Sequence, residues 1–203
     1  MNLAACPSLA RRPLVGTWYR AINLNFWNTL LATNHTRTVP GRFNAGRLAR
    51  PGFEILYLAE DHQVALFEVE ALVGSPLPGS TYVPNPSGHW AVINVQLQLN
   101  RVVDFTKRSE RRKVGTTVQE LTRDWRSYLL RNPNPKLRKP YWTSVPTQKL
   151  GHALHGVRDI EAFLTYSARV PTRQNLIVFP SKLRPGSFLE FQDPILSRTH
   201  RIS

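Results

Sequence analysis

Asp61-His62-Gln63-Val64-Ala65-Leu66-Phe67-Glu68-Val69-Glu70-Ala71-Leu72-Val73-Gly74 places a carboxylate where an amphipathic segment should have none. Asp61 reads as a helix N-cap, its side-chain oxygen taking a free backbone N–H. Gly74 reads as the stop, because glycine tolerates the left-handed conformation that follows a last turn. At about 100° per residue, Gln63 and Glu70 share a narrow polar face, and Glu68 points nearly the opposite way, bracketed by Val64, Ala71 and Leu72. A carboxylate on an apolar face costs on the order of several kcal/mol unless it is paired or opens into a cavity. Glu68 therefore has two readings: a buried ion pair with an arginine, or a group kept for a partner or for chemistry.

Working outward, residues 16–22 and 54–59 read as strands, 24–32 as a helix, and 34–53 as a loop-rich stretch holding Pro40-Gly41-Arg42-Phe43-Asn44. Residues 72–88, with four prolines, read as a long connection. Residues 90–99 alternate, with Ala91, Ile93, Val95, Leu97 and Leu99 on one side, the period of a half-buried strand that 102–105 extends. Residues 116–130 read as a helix with a basic surface, broken by three prolines in 132–140. Residues 146–155 form a second such pattern with proline in the first turn. Strands at 160–165 and 175–179 flank Tyr166-Ser167-Ala168-Arg169, and 188–191 adds a last one. Without a regular βαβ rhythm, the chain predicts an α+β fold: a bent, largely antiparallel sheet with flanking helices.

A chain of 203 residues that is 41% hydrophobic suits one domain with a real core. Residues 1–15 read as a flexible N-terminus, 16–203 as the single domain, and 101–140 as a basic, proline-containing insertion. No run of 18 apolar residues is present, so no membrane span is expected. The lone Cys6 has no internal disulfide partner and fits a reducing cytoplasm. His152 and His155, spaced i, i+3, lack a third ligand, and no metal is expected. Walker, G-x-G-x-x-G and G-x-S-x-G motifs are absent.

The net charge of +14 is uneven: residues 1–50 carry seven arginines and no acid, residues 51–100 five acids and no Lys or Arg, and residues 101–150 thirteen basic and four acidic groups. The 101–150 block suits nucleic acid, an acidic protein or a solvated face. Trp125 and Tyr128 on its helix read as packing aromatics. Residues 112–139, remote in sequence from every motif residue, are expected to be dispensable for chemistry, so that neutralising Arg111, Arg112 and Lys113 would leave it nearly intact. The N-terminal arginines, scattered among glycine, asparagine and aromatics, better suit a pocket for a small anion. A polar series accompanies them: Arg20 at a strand end, Arg42 and Asn44 in the glycine loop, Tyr57 in the second strand, Glu68, and Ser167 and Arg169 beside the late strand. Taken singly, Arg20 is a surface residue, Tyr57 a core aromatic and Ser167 a turn former. Together they would hold a dinucleotide: arginines on the pyrophosphate, a ring on a flat heterocycle, a carboxylate facing ribose or a developing positive charge.

In order, Trp18-Tyr19-Arg20, Gly41-Arg42-Phe43-Asn44, Leu56-Tyr57-Leu58-Ala59, Ala65-Leu66-Phe67-Glu68, Thr165-Tyr166-Ser167-Ala168-Arg169 and Asn175-Leu176-Ile177-Val178-Phe179 resemble the RES domain, the toxin half of bacterial RES–Xre toxin–antitoxin pairs. The family loop usually carries two glycines and Arg-Trp-Asn, where this chain has Pro40-Gly41-Arg42-Phe43-Asn44. The resemblance implies a fold like that of diphtheria-toxin-type ADP-ribosyltransferases, although the late-strand catalytic glutamate of those enzymes has no match here. It implies cleavage of the nicotinamide–ribose bond of NAD, used as substrate, with water, phosphate or a protein target as acceptor. Arg20, Glu68 and Ser167 would be catalytic, and Arg20, Arg42, Asn44, Tyr57 and Arg169 would bind NAD. It further implies an Xre-type antitoxin partner and a cytoplasmic setting. The rival from another class is a basic nucleic-acid-binding module, which predicts steep salt dependence and indifference to Glu68.

Overall fold

The computed structural model describes residues 1–46, 52–77, 79–130 and 145–203. The strands are β1 (Arg11–Asn23), β2 (Leu56–Ala59), β3 (Leu72–Gly74), β4 (Tyr82–Pro84), β5 (Trp90–Asp104), β6 (Ala162–Tyr166), β7 (Gln174–Val178), β8 (Phe188–Asp193) and β9 (Arg198–Ile202). The helices are α1 (His62–Glu68), α2 (Arg108–Val114), α3 (Val118–Thr122), α4 (Arg126–Leu130) and α5 (Pro146–Gly156). The proline-rich stretch 132–140 lies outside the described residues.

β5 organises the sheet, as its alternation predicts. β1 runs antiparallel along one edge, from Arg11↔Val103 to Asn23↔Trp90. The other edge takes β8 at Gln96–Gln98 and, in parallel, β6 at Val102–Asp104. Antiparallel pairings then lead from β6 to β7, from β7 to β2 and from β2 back to β1, so five strands form a closed, strongly bent ring with β8 and β9 outside it. The last joint is slight: β1 and β2 meet at one pair, Tyr19↔Ala59. The register between β1 and β5 shifts by one residue between Arg12 and Leu14. There the fully buried Glu161 accepts from the backbone N–H of Asn100, Arg101 and Arg184 at 2.6–2.7 Å. Its carboxylate serves the donors that the bulge takes from the ladder.

One face of the ring buries Ile93, Val95, Leu97, Leu99, Leu56, Leu164 and Leu176. The other buries Phe43, Val103, Phe163, Ile177 and Phe179 under Val114 of α2, Leu121 of α3 and Leu150 and Leu154 of α5. Burying a Leu or Phe side chain contributes about 1.5–3 kcal/mol, so this helical layer belongs to the core. The region read as an insertion is thus corrected: residues 101–104 complete β5, and α2 and α3 seal the second face. The N-terminus is corrected too. Residues Leu3–Ser8 form a 3-10 turn against α2 and α5, with Cys6 and Leu9 buried. Asn2 N–H donates to Val114 O at 2.7 Å, and Ala10 N–H to Glu110 Oε2 at 2.8 Å. Burial pushes the Cys6 thiol pKa up, which keeps it inert.

Three other expectations change. The helix expected over 116–130 is two short ones, broken at Arg123-Asp124-Trp125. The helix expected over 24–32 is a 3-10 segment, Leu24–Thr29. The helix begun at Asp61, whose side chain does accept from Val64 N–H at 2.8 Å, stops at Glu68 rather than at Gly74. Glu70 adopts a left-handed φ of 59°, Glu70 N–H donates to Phe67 O and Ala71 N–H to Leu66 O. These two bonds make a Schellman stop, and Leu72–Gly74 leaves it as a strand paired with β4.

α5 is pinned to the 41–44 loop by one glycine. A Cβ at Gly151 would lie 1.8 Å from Phe43 O, and Gln148 Nε2 donates to Gly41 O at 2.8 Å. Gly151→Ala is therefore expected to lower stability by about 1–3 kcal/mol, the cost of overpacking outweighing the gain in helix propensity. Chemical denaturation measures this; unchanged stability would show that helix and loop do not pack so closely.

Candidate functional site

Where β1 and β2 part, a cavity of about 750 Å³ opens beside the C-terminus of α1, the 41–43 loop and the turn between α3 and α4. Arg20, Arg42, Tyr57, Glu68 and Arg169 all line it.

Arg20 comes from β1, paired with Ile93. Burial pushes its pKa down to about 10, and Nη1 is sealed from solvent with no hydrogen-bond partner among the described residues. A buried donor without a partner costs about 1–3 kcal/mol, more when charged. His35 lies on the same wall, its pKa lowered by burial and then by the Arg20 charge. Arg42 is held differently: its Nη1 donates to Leu121 O at 3.4 Å and to Arg123 O, at the C-terminal end of α3. Burial lowers its pKa, and the nearby Glu68 charge opposes that fall. Tyr57 stands in β2, with its hydroxyl accepting from Phe43 N–H at 3.1 Å. Burial raises its pKa to about 12, so it is a neutral phenol. Gly41 is required here by close approach, since a Cβ would come within 2.8 Å of Asn44 Oδ1 and 3.2 Å of the Tyr57 hydroxyl.

Glu68 is half-buried at the last turn of α1. Ser167 Oγ donates to its Oε1 at 2.5 Å and Asn175 Nδ2 to the same oxygen at 2.7 Å. Among the described residues no cation lies within ion-pair distance of Glu68, so the paired reading gives way to the cavity reading.

The other sequence candidates fall behind this surface. Ser167 is fully buried; besides donating to Glu68, its Oγ accepts from Arg169 N–H at 3.2 Å and Val170 N–H at 2.9 Å. It is a turn former and the support of Glu68 at once, not a wall of the cavity. Asn44 is 2% exposed and donates to Thr36 O at 2.5 Å, so it shapes the glycine loop. Phe43 packs edge-on against Phe163 at 5.0 Å.

Sequence reasoning missed Asn175, the one polar side chain in the apolar run Asn175-Leu176-Ile177-Val178-Phe179; that isolation was its only signal. It also missed Tyr19, His35 and Trp90 on the walls. Thr122, Asp124, Trp125 and Arg126 line the cavity as well, so part of the basic block contributes to the site. His155 stacks on Phe53 at 4.3 Å, and burial pushes its pKa down to about 4, which marks a core histidine. Among the described residues no group of three or more His, Cys, Asp or Glu is placed to hold a metal, and no helix is long and apolar enough to cross a membrane.

Among the described residues, the α+β ring thus turns a half-buried carboxylate, Glu68, and an arginine with an unpartnered nitrogen, Arg20, toward one cavity. The sequence profile of the RES domain matches residues 17–192, and the chain belongs to that family. The structure is similar to a chain in the crystal structure of the M. tuberculosis MbcT–MbcA toxin–antitoxin complex, with 17% identity, 99% of this chain and 91% of that chain covered, and a TM-score of 0.57. That likeness concerns the fold. A search of curated proteins finds no match.

Proposed function

We propose that this protein is the toxin of a toxin–antitoxin pair and that it breaks the nicotinamide–ribose bond of NAD. The observation that carries the reading is Arg20: its Nη1 is buried without a partner among the described residues, on the wall of the same cavity as the oriented carboxylate of Glu68. Such a group calls for an anion, and a pyrophosphate offers the paired oxygens it suits. Arg42 lines the same cavity and would add a second cation. Tyr57 lines the cavity with its hydroxyl already engaged, and its ring would stack on the nicotinamide. As the C1′–N bond breaks, its electron pair leaves with nicotinamide, which becomes neutral. Positive charge develops on the ribose, and the Glu68 carboxylate stabilises it. Water or phosphate then adds at C1′, and water releases a proton on doing so. Protein ADP-ribosylation would follow the same path with a side chain as acceptor.

Several of the basic groups behind the nucleic-acid reading have structural partners, although the net charge of +14 stands. Arg11 and Arg12 pair with Asp159 and Asp104, Lys113 with Glu110, and Arg111 and Lys182 donate to backbone carbonyls. The reading is tested by incubating purified protein with NAD, with and without phosphate, and separating the products. Free nicotinamide is expected. Intact NAD after prolonged incubation would refute it. Expression alone should arrest bacterial growth, and co-expression with an antitoxin of the Xre type should restore it.

Asn175 is expected to be a positioning residue. In Asn175→Ala, Glu68 keeps only the Ser167 hydroxyl, so turnover should fall about tenfold, near 1.4 kcal/mol, in kcat more than in KM. An unchanged kcat would show that Ser167 alone suffices.

A further inference from the structure

The Schellman stop of α1 places at its left-handed position a residue that the geometry does not favour. Glycine is the usual occupant, because a side chain at positive φ crowds the backbone. Here the occupant is Glu70, at φ 59°. Asn85 holds that conformation, its Nδ2 donating to Glu70 O at 2.9 Å and its own N–H to Ala71 O at 2.8 Å. The turn thus aims the Glu70 side chain, and the side chain forms an ion pair with Arg169. Both residues line the cavity, and both side chains are about half exposed, 57% and 49%. Arg169 lies near enough to Arg42 to lower its pKa.

We propose that Glu70 is a built-in competitor of the anionic ligand: its carboxylate holds the Arg169 guanidinium at the cavity mouth and yields it to a phosphate group. This rests on the reading of the cavity as a site for a pyrophosphate-bearing substrate. The exposed pair is weak enough to exchange, and a phosphate offers Arg169 a two-pronged contact with more charge than the single contact to Glu70. Two guanidinium groups lining one cavity and repelling each other gain from an anion between them, and Glu70 is not among the charges that act on Arg42. Glu68 cannot take this role, because its Oε1 is committed to Ser167 and Asn175. Glu70 therefore sets how tightly the site takes its ligand, separately from the carboxylate assigned to bond cleavage.

The test is calorimetric titration with ADP-ribose and with inorganic pyrophosphate on four proteins: wild type, Glu70→Gln, Arg169→Gln and the double variant, with NAD turnover followed in parallel. Glu70→Gln is expected to tighten both ligands about threefold, the scale of one exposed ion pair, and the double variant is expected to lose that gain. Glu70→Gly, which suits the turn, should fold at least as stably as wild type and show the same tightening. Unchanged or weaker binding in Glu70→Gln overturns the proposal, as does a gain that persists without Arg169. If wild type binds ADP-ribose and shows the Glu70 effect but leaves NAD intact, the competitor stands and the cleavage reading falls. If wild type cleaves NAD and Glu70→Gln binds no tighter, the cleavage reading stands and the competitor falls. If neither anion binds to any of the four, both are refuted.

Discussion

In the Arg20→Met variant, thermal unfolding moves upward while binding of pyrophosphate-bearing ligands is lost. Arg20 is a charge taken out of water with Nη1 left unpartnered. Exchange of a buried charge for an apolar side chain of similar length is often neutral or stabilising, here by about 1–3 kcal/mol. For a chain of this size that is roughly 2–4 °C per kcal/mol. The sign follows from the pKa. Burial holds it at about 10, below the ordinary 12.5, so the folded state carries the cost of the charge at every pH below 10. The advantage of methionine should therefore stay level from about pH 6 to 9 and shrink only as the pH climbs past 10. Ligand affinity should drop about 100-fold, near 2.7 kcal/mol, because the Arg20 fork of donors is lost from that wall. A variant that unfolds earlier than wild type would show that Arg20 supports the strand rather than the site. Retained affinity would place the anion elsewhere.

Glu68→Gln should leave the fold intact and reduce NAD cleavage at least 100-fold, about 2.7 kcal/mol of lost transition-state stabilisation. Glutamine keeps a carbonyl oxygen that can accept from both Ser167 and Asn175, so neither donor is orphaned. What disappears is the negative charge. Circular dichroism and unfolding midpoint should match wild type, while nicotinamide release falls. Turnover at the wild-type rate would remove Glu68 from the chemistry. Loss of the fold would make its role structural.

The elements that depend on local pattern were legible in the sequence. β5 follows the alternation of Ile93, Val95, Leu97 and Leu99, α5 begins with Pro146 as expected, and Asp61 caps α1. Glu68 was singled out and lies on the cavity, but the reasoning that isolated it was only partly right. The wheel that isolated it included Glu70, Ala71 and Leu72, which belong to the stop and the following strand. A left-handed glutamate leaves no mark in composition, so the helix seemed to run to the next glycine. Arg20, Arg42, Tyr57 and Arg169 were found because polar groups at strand ends and in a glycine loop are out of place in a core. Ser167 and Asn44 were found too, but sequence could not separate a wall of the cavity from its support, since that depends on which way each side chain faces. The packed N-terminus was missed because Leu3, Cys6 and Leu9 have no period of their own and acquire a purpose only beside α2 and α5. Trp125 and Arg126 were set apart from the site for a similar reason. They lie far along the chain from its motifs, and only the covering of the second face by α2 and α3 brings them to the cavity.

The single Tyr19↔Ala59 pair has a further consequence. The ring of strands is a hoop with one clasp, and the cavity sits at the clasp, with Arg20 on one side and Tyr57 on the other. A molecule gripping both sides supplies rungs that the backbone omits there. Occupancy should therefore be written in the exchange of amide hydrogens, with the termini of β1 and β2 near the cavity slowing together, while β8 and β9, on the outside of the hoop, keep their own pace.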